Sequence, residues 1–98
     1  MSEFEKELEA RKRLDSYQPF LPGMSALLND ELNAALKKFP KMNSYHEGYA
    51  VILEELDELW EEVKKNPTVR DPNAVRAEAI QVAAMACRFI MDLCLGGR

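Results

Sequence analysis

The chain reads as an all-α helical bundle, and three observations carry that class. Apolar residues recur three and four positions apart in four stretches. The first, third and fourth of those stretches open on helix-capping patterns, and turn signals rich in proline, asparagine or glycine cut the four apart. No run alternates apolar and polar residues convincingly enough to mark a strand. Four helices per chain are expected, the last two forming the core. At 98 residues the chain is one domain, residues 1–98, since domains usually hold ~100–200 residues. An N-terminal helix and its proline-containing connector (1–22) precede the core (24–95). A protomer of this size buries roughly 60–70% of its unfolded surface, so homodimerisation is expected to complete the bundle.

The first helix spans Ser2 to Ser16 and opens on a capping box, Ser2 with Glu5 three residues later, in which each side chain satisfies the other's free backbone donor. Its apolar stripe is thin, Phe4, Leu8 and Leu14, which places it on the outside of the domain. Pro19, Pro22 and Gly23 make Tyr17 to Gly23 a connector. In the second helix Leu27, Leu28, Leu32, Ala35, Leu36 and Phe39 fall at helical spacing up to the stop at Pro40, with Lys37 and Lys38 favouring the negative end of its dipole.

A second capping box, Ser44 with Glu47, opens the third helix, which runs to about Lys65 and ends at Asn66-Pro67. Tyr45, Tyr49, Ile52, Leu56, Leu59 and Val63 alternate four and three apart and predict its packing seam. Glu55 and Glu62 flank that seam, Glu54, Glu58 and Glu61 lie further round, and Leu53 and Trp60 border its other side. The fourth helix starts at Asp71-Pro72, a capping carboxylate followed by proline where its missing N–H does no harm, and is expected to end at Gly96-Gly97. From Ala79 to Leu95 it is apolar nearly all round, which predicts burial. Glu78, Gln81, Arg88 and Asp92 form one narrow polar stripe within it, and something must meet that stripe.

The net charge of −4, from 17 acids against 13 bases, and the lack of a basic run longer than Arg11-Lys12-Arg13 argue against a nucleic-acid partner. No apolar run reaches the ~18 residues of a membrane span, and Met1 to Arg13 is charged where a signal peptide is hydrophobic. A cytoplasmic protein with no membrane partner is expected. Cys87 and Cys94 stand ~10.5 Å apart along one helix, too far for a mutual disulfide, and read as two small core hydrophobes.

The informative feature is the density of carboxylates in Glu54-Glu55-Leu56-Asp57-Glu58 and Glu61-Glu62. Acids three and four apart on a helix repel when ionised, and burying one costs several kcal/mol unless it is paired or bound to metal. Oxygen-only donors suit hard Mg²⁺, which keeps several waters and shares its positions with substrate phosphates. Zinc is disfavoured by a single histidine and no Cys-His cluster. Glu55, Glu58 and Glu78 are therefore expected to hold Mg²⁺ against the phosphates of a nucleotide and orient a water for in-line attack, which is phosphoanhydride hydrolysis. Glu54 or Glu61 would be the supporting group or general base. The plain structural alternative is a solvated glutamate face ahead of Lys64 and Lys65. Arg88 could reach a phosphate, although an ion pair with Asp92 one turn on is the simpler role. Trp60 and His46 invite nucleobase stacking, against ordinary packing for the one and solvent exposure for the other. Arg70 and Arg76 carry no supporting motif.

The run Glu54-Glu55-x-x-Glu58, an interval of about twenty residues, and Glu78 on a small-residue-rich helix resemble the EExxE…ExxD signature of the MazG-like all-α nucleoside triphosphate pyrophosphohydrolases. The similarity covers roughly Leu27 to Leu95. It implies a homodimer that uses Mg²⁺, with Mn²⁺ as substitute, to cleave a (d)NTP to the monophosphate and pyrophosphate in nucleotide-pool house-cleaning. Glu55 and Glu58 match the first acidic pair, Glu78 the first acid of the second pair, and Glu54 the extra glutamate. Gln81 stands where the family has its final aspartate, a neutral oxygen donor in place of a charged one. The alternative is a weakly active or inactive MazG-like dimer that binds nucleotide, metal or protein.

Overall fold

A computed structural model describes residues 1–95, and all regular structure among them is helical. The capping box at the start forms as the sequence requires: the Ser2 hydroxyl accepts from the Glu5 N–H at 3.1 Å and the Glu5 carboxylate accepts from the Ser2 N–H at 3.2 Å. It launches α1 (Glu3–Tyr17), none of whose residues is buried.

The expected connector after α1 is absent. Gln18–Phe20 forms one 3₁₀ turn that runs directly into α2 (Leu21–Lys38). Pro19 and Pro22 each fall in the opening positions of the turn and of α2, where a missing N–H and a fixed φ cost little. Gly23, expected to break the chain, is helical and has open space around it. Among the described residues there are therefore three uninterrupted helical runs, 3–38, 45–63 and 72–94, in place of four separate helices.

α3 (Tyr45–Val63) begins at Ser44, whose hydroxyl accepts from the Glu47 N–H at 3.0 Å. The second half of this capping box does not form, because the Glu47 carboxylate turns to the Asn43 side-chain amide at 3.1 Å. α4 (Pro72–Phe89) is capped by Asp71, which accepts from the Asn73 N–H at 2.9 Å. It continues through a π-helical turn, Ile90–Cys94. The expected Gly96-Gly97 stop lies outside the described residues.

α4 is the hub, with α3 packed along one flank and α2 along another. α3 and α4 run antiparallel, since Gly48 near the start of α3 meets Phe89 and Leu93 at the end of α4. A Cβ built on Gly48 would fall 2.4 Å from the Phe89 ring, so the close crossing needs glycine. The buried core is small: Ala35, Ala84 and Met85, with Leu28, Val51 and Ile52 packed against it.

That close crossing rotates α3 away from its expected seam. Ile52 and Leu59 are half-buried, whereas Tyr45, Tyr49, Leu56 and Val63 are exposed. Gly48, Val51, Glu55 and Glu62 take part in the inward face instead. The polar stripe of α4 divides as well. At its far end Arg88 and Asp92 are buried, Arg88 donating to the Pro40 carbonyl at 3.1 Å and Asp92 accepting from the Met42 N–H at 2.9 Å. This pair clasps the segment between α2 and α3 onto α4 and holds Met42 fully buried.

Candidate metal centre

Glu55 and Glu58 lie three apart on α3 and so on neighbouring faces, and the antiparallel crossing brings Glu78 of α4 to them. One carboxylate oxygen from each of the three lies within 4.8 Å of the others. Metal–oxygen distances of ~2.0–2.6 Å for hard divalent cations put the donors of one ion no more than about 4–5 Å apart, so the three acids are close enough to share a cation. Glu55 and Glu78 are half-buried and Glu58 is exposed, leaving the cluster open to solvent on the Glu58 side.

The electrostatics of this arrangement are unfavourable without a counter-charge. One oxygen of Glu55 and one of Glu78 are buried with no hydrogen-bond partner. Burial, then the neighbouring Glu58, Glu78 and Glu54 carboxylates, push the Glu55 carboxyl up to about 7 from its ordinary 4.5. Burial followed by the charges of Glu58, Glu62 and Glu31 raises Glu78 in the same direction. The two orphaned oxygens can be satisfied by a proton or by a cation. A divalent ion would satisfy both and Glu58 together.

The remaining sequence-derived positions divide between this cluster and other places. Glu54 is exposed beside Glu55, and Gln81 is half-buried one turn beyond Glu78 on the same side of α4. Glu61 is exposed and accepts from Lys64 at 2.9 Å. Trp60 is exposed and sits about 140° round α3 from Glu55, on a different flank. Arg88 is roughly 15 Å of helix rise from Glu78 and is engaged by Asp92, with Nε 3.7 Å from the carboxylate, beneath the Phe39 ring. His46 is exposed at the start of α3, Arg70 donates to the Lys65 carbonyl, and Arg76 donates to Asn73.

Two acids whose charge bears on Glu78 were not among those singled out for the site. Glu62 is half-buried on the inward face of α3 and pairs with Lys65; its position seven residues after Glu55, two turns on, was the available signal. Glu31 comes from α2, and no local pattern marks it, because its approach depends on how α2 packs on α4. No family model matches the chain, and no curated protein or solved structure matches it at a significant level.

Proposed function

We propose that this protein is a Mg²⁺-dependent nucleoside triphosphate pyrophosphohydrolase, cleaving a (d)NTP to the (d)NMP and pyrophosphate as a homodimer of MazG-like type in the cytoplasm. The observation that supports this most is the pair of buried, partnerless oxygens on Glu55 and Glu78 beside the Glu58 carboxylate. Three clustered carboxylates that repel one another, two of them half-buried and one exposed, have a use when a cation and a polyphosphate arrive together. Magnesium bound there, or manganese in its place, would neutralise the phosphate oxygens and offset the charge that develops as the α–β phosphoanhydride breaks.

The protein's own part is to hold and orient. Glu55, Glu58 and Glu78 are the ligands, and Gln81 one turn on adds a neutral oxygen donor. Glu54, exposed beside Glu55, takes the proton of the attacking water, whose oxygen ends on phosphorus as pyrophosphate leaves. The second reading, a nucleotide- or metal-binding module without turnover, draws on Gln81, since an amide supplies one negative charge fewer than an aspartate there.

A pyrophosphate-release assay with Mg²⁺ over the common and modified dNTPs separates the two. The enzyme releases pyrophosphate from at least one of them, and Glu55→Gln lowers that rate by about 100-fold or more, the scale expected on losing transition-state charge stabilisation. Metal binding without release from any nucleotide identifies the binding module. Undiminished turnover in Glu55→Gln contradicts the ligand assignment.

A further inference from the structure

α1 and α2 form one continuous run, yet their junction carries the features of a hinge. Gln18–Phe20 is a single 3₁₀ turn between two α-helices, and a short 3₁₀ stretch inside a longer helix often marks a hinge. Pro19 and Pro22 have no N–H to donate back along the chain, so the junction lacks two of the hydrogen bonds that stiffen a helix. Gly23 follows, a poor helix former with nothing within 4 Å of a Cβ placed on it. The extended run makes no use of that glycine.

Apolar surface is uncovered on both sides of the junction. No residue of α1 is buried, and Phe4, Leu14 and Tyr17 are 74%, 52% and 49% exposed. At 15 residues α1 has about the length at which a lone helix is marginal in water. Beyond the junction, Phe20, Met24 and Leu27 share an open apolar groove with Ala79, Ile80 and Ala83 of α4.

We propose that α1 is a strap, swinging about residues 18–23 to lie back over this groove, antiparallel to α2. Register is the first argument. Folding the chain at the junction sets Tyr17 opposite Met24, Leu14 opposite Leu27 and Arg11 opposite Asp30, the members of each pair standing equally far from the turn. The faces that meet are already present. Phe4, Leu8 and Leu14 fall within about a third of the circumference of α1, with Arg11 among them. Gly23, Leu27, Asp30 and Ala34 recur four and three apart along an exposed flank of α2, the spacing of a helix-packing seam. Glycine at the head of that seam permits close approach. The six residues left for the connection lie within the 2–8 usual between packed helices.

Charge is the second argument. Asp30 sits where the groove continues past Leu27, Arg76 and Ile80. Lys6 and Lys12 pair with Glu3 and Glu9 inside α1, whereas neither Arg11 nor Asp30 has an ionic partner among the described residues. Closing the strap pairs them. It also covers part of the 7516 Å² that the chain exposes, against about 5700 Å² for a compact monomer of this mass. In the closed form Leu14 and Tyr17 fill the groove, so α1 controls access to it. Arg11 arrives beside Asp30 and its neighbour Glu31, the α2 acid whose charge bears on Glu78. The strap requires neither the metal nor the activity.

Spin labels on Glu7→Cys and Lys37→Cys, in a full chain carrying Cys87→Ala and Cys94→Ala, test it by pulsed dipolar spectroscopy. The labelled residues stand up to ~45 Å apart along the extended run, and within ~20 Å once the two helix axes are ~10 Å apart. A short-distance population is expected beside the long one, and it persists when the labelled chain is mixed with an excess of unlabelled protein. Asp30→Arg is expected to lower that population about three-fold, the scale of an exposed ion pair. Adding Arg11→Glu to Asp30→Arg restores it. A long distance alone overturns the proposal. So does a short distance that vanishes on mixing, which makes α1 of a second copy the occupant, or a short-distance population indifferent to Asp30→Arg. Should the labelled chain fail to fold, hydrogen exchange with the native cysteines in place decides. The amides of α1 are then expected to exchange faster in Asp30→Arg than in the wild type, and equal rates contradict the strap.

Discussion

Glu55 shows how a single residue can be poorly placed for folding and well placed for binding. Its inward position on α3 is set by the Gly48 crossing, and its charge is opposed by burial and by three neighbouring carboxylates. In the folded, metal-free chain it holds its proton up to about pH 7, whereas in the unfolded chain it releases it near 4.5. Between those values the folded state binds the extra proton, so stability falls as pH rises from about 4.5 to about 7 and is flat above. Urea unfolding across that range without metal is expected to show the decline, and Glu55→Gln to reduce it. Saturating Mg²⁺ favours the ionised carboxylate and is expected to flatten the decline in the wild type. Much of this was legible beforehand: Glu55, Glu58 and Glu78 were identifiable from acid spacing and from one carboxylate on an apolar helix. Glu31 was not, because nothing within residues 27–36 distinguishes it from a solvated acid.

At the level of the helices, local signals placed the starts of α1, α3 and α4 well, because a cap is a contact among residues three apart. Two expectations failed where tertiary packing decides. Pro19 and Pro22 suggest a break in the helix, yet each falls where a new helical turn is beginning. Apolar spacing runs the seam of α3 through its large residues, whereas the crossing selects the smallest, Gly48, and turns Tyr45 and Tyr49 outward. Gly48→Ala therefore sets two effects against each other. Alanine gains about 1 kcal/mol in helix propensity, but its methyl overlaps the Phe89 ring, and overpacking costs about 1–3 kcal/mol. Since the overlap is 2.4 Å from an aromatic ring in the main helix–helix contact, overpacking is expected to win, lowering the urea midpoint. An unchanged or higher midpoint would show that Phe89 moves aside freely.

For the whole molecule, the all-α class was evident from periodicity, and the small core of a short chain was anticipated from its length. The radius of gyration, 16.6 Å, exceeds the ~13 Å of a compact chain of this length, because α1 projects and α2 and α3 each pack chiefly on α4. That openness could not be read from composition, since each helix carries enough apolar residues to suggest a closed bundle. None of the described helices is long and apolar enough to cross a membrane. The fold thus separates its surfaces: the acids gather where α3 crosses α4, and Tyr45, Tyr49, Leu56 and Val63 of α3 stay exposed. The most direct test of the account is calorimetric melting at pH 7.5 with and without Mg²⁺, on the wild type and on Glu78→Gln. At a hundredfold excess over the dissociation constant, linkage stabilises the folded state by ~2.7 kcal/mol, a rise of several degrees for a chain of this size. That rise is expected in the wild type and largely lost in Glu78→Gln; an unmoved wild-type melting temperature, or equal shifts in both proteins, would contradict a metal held by these acids.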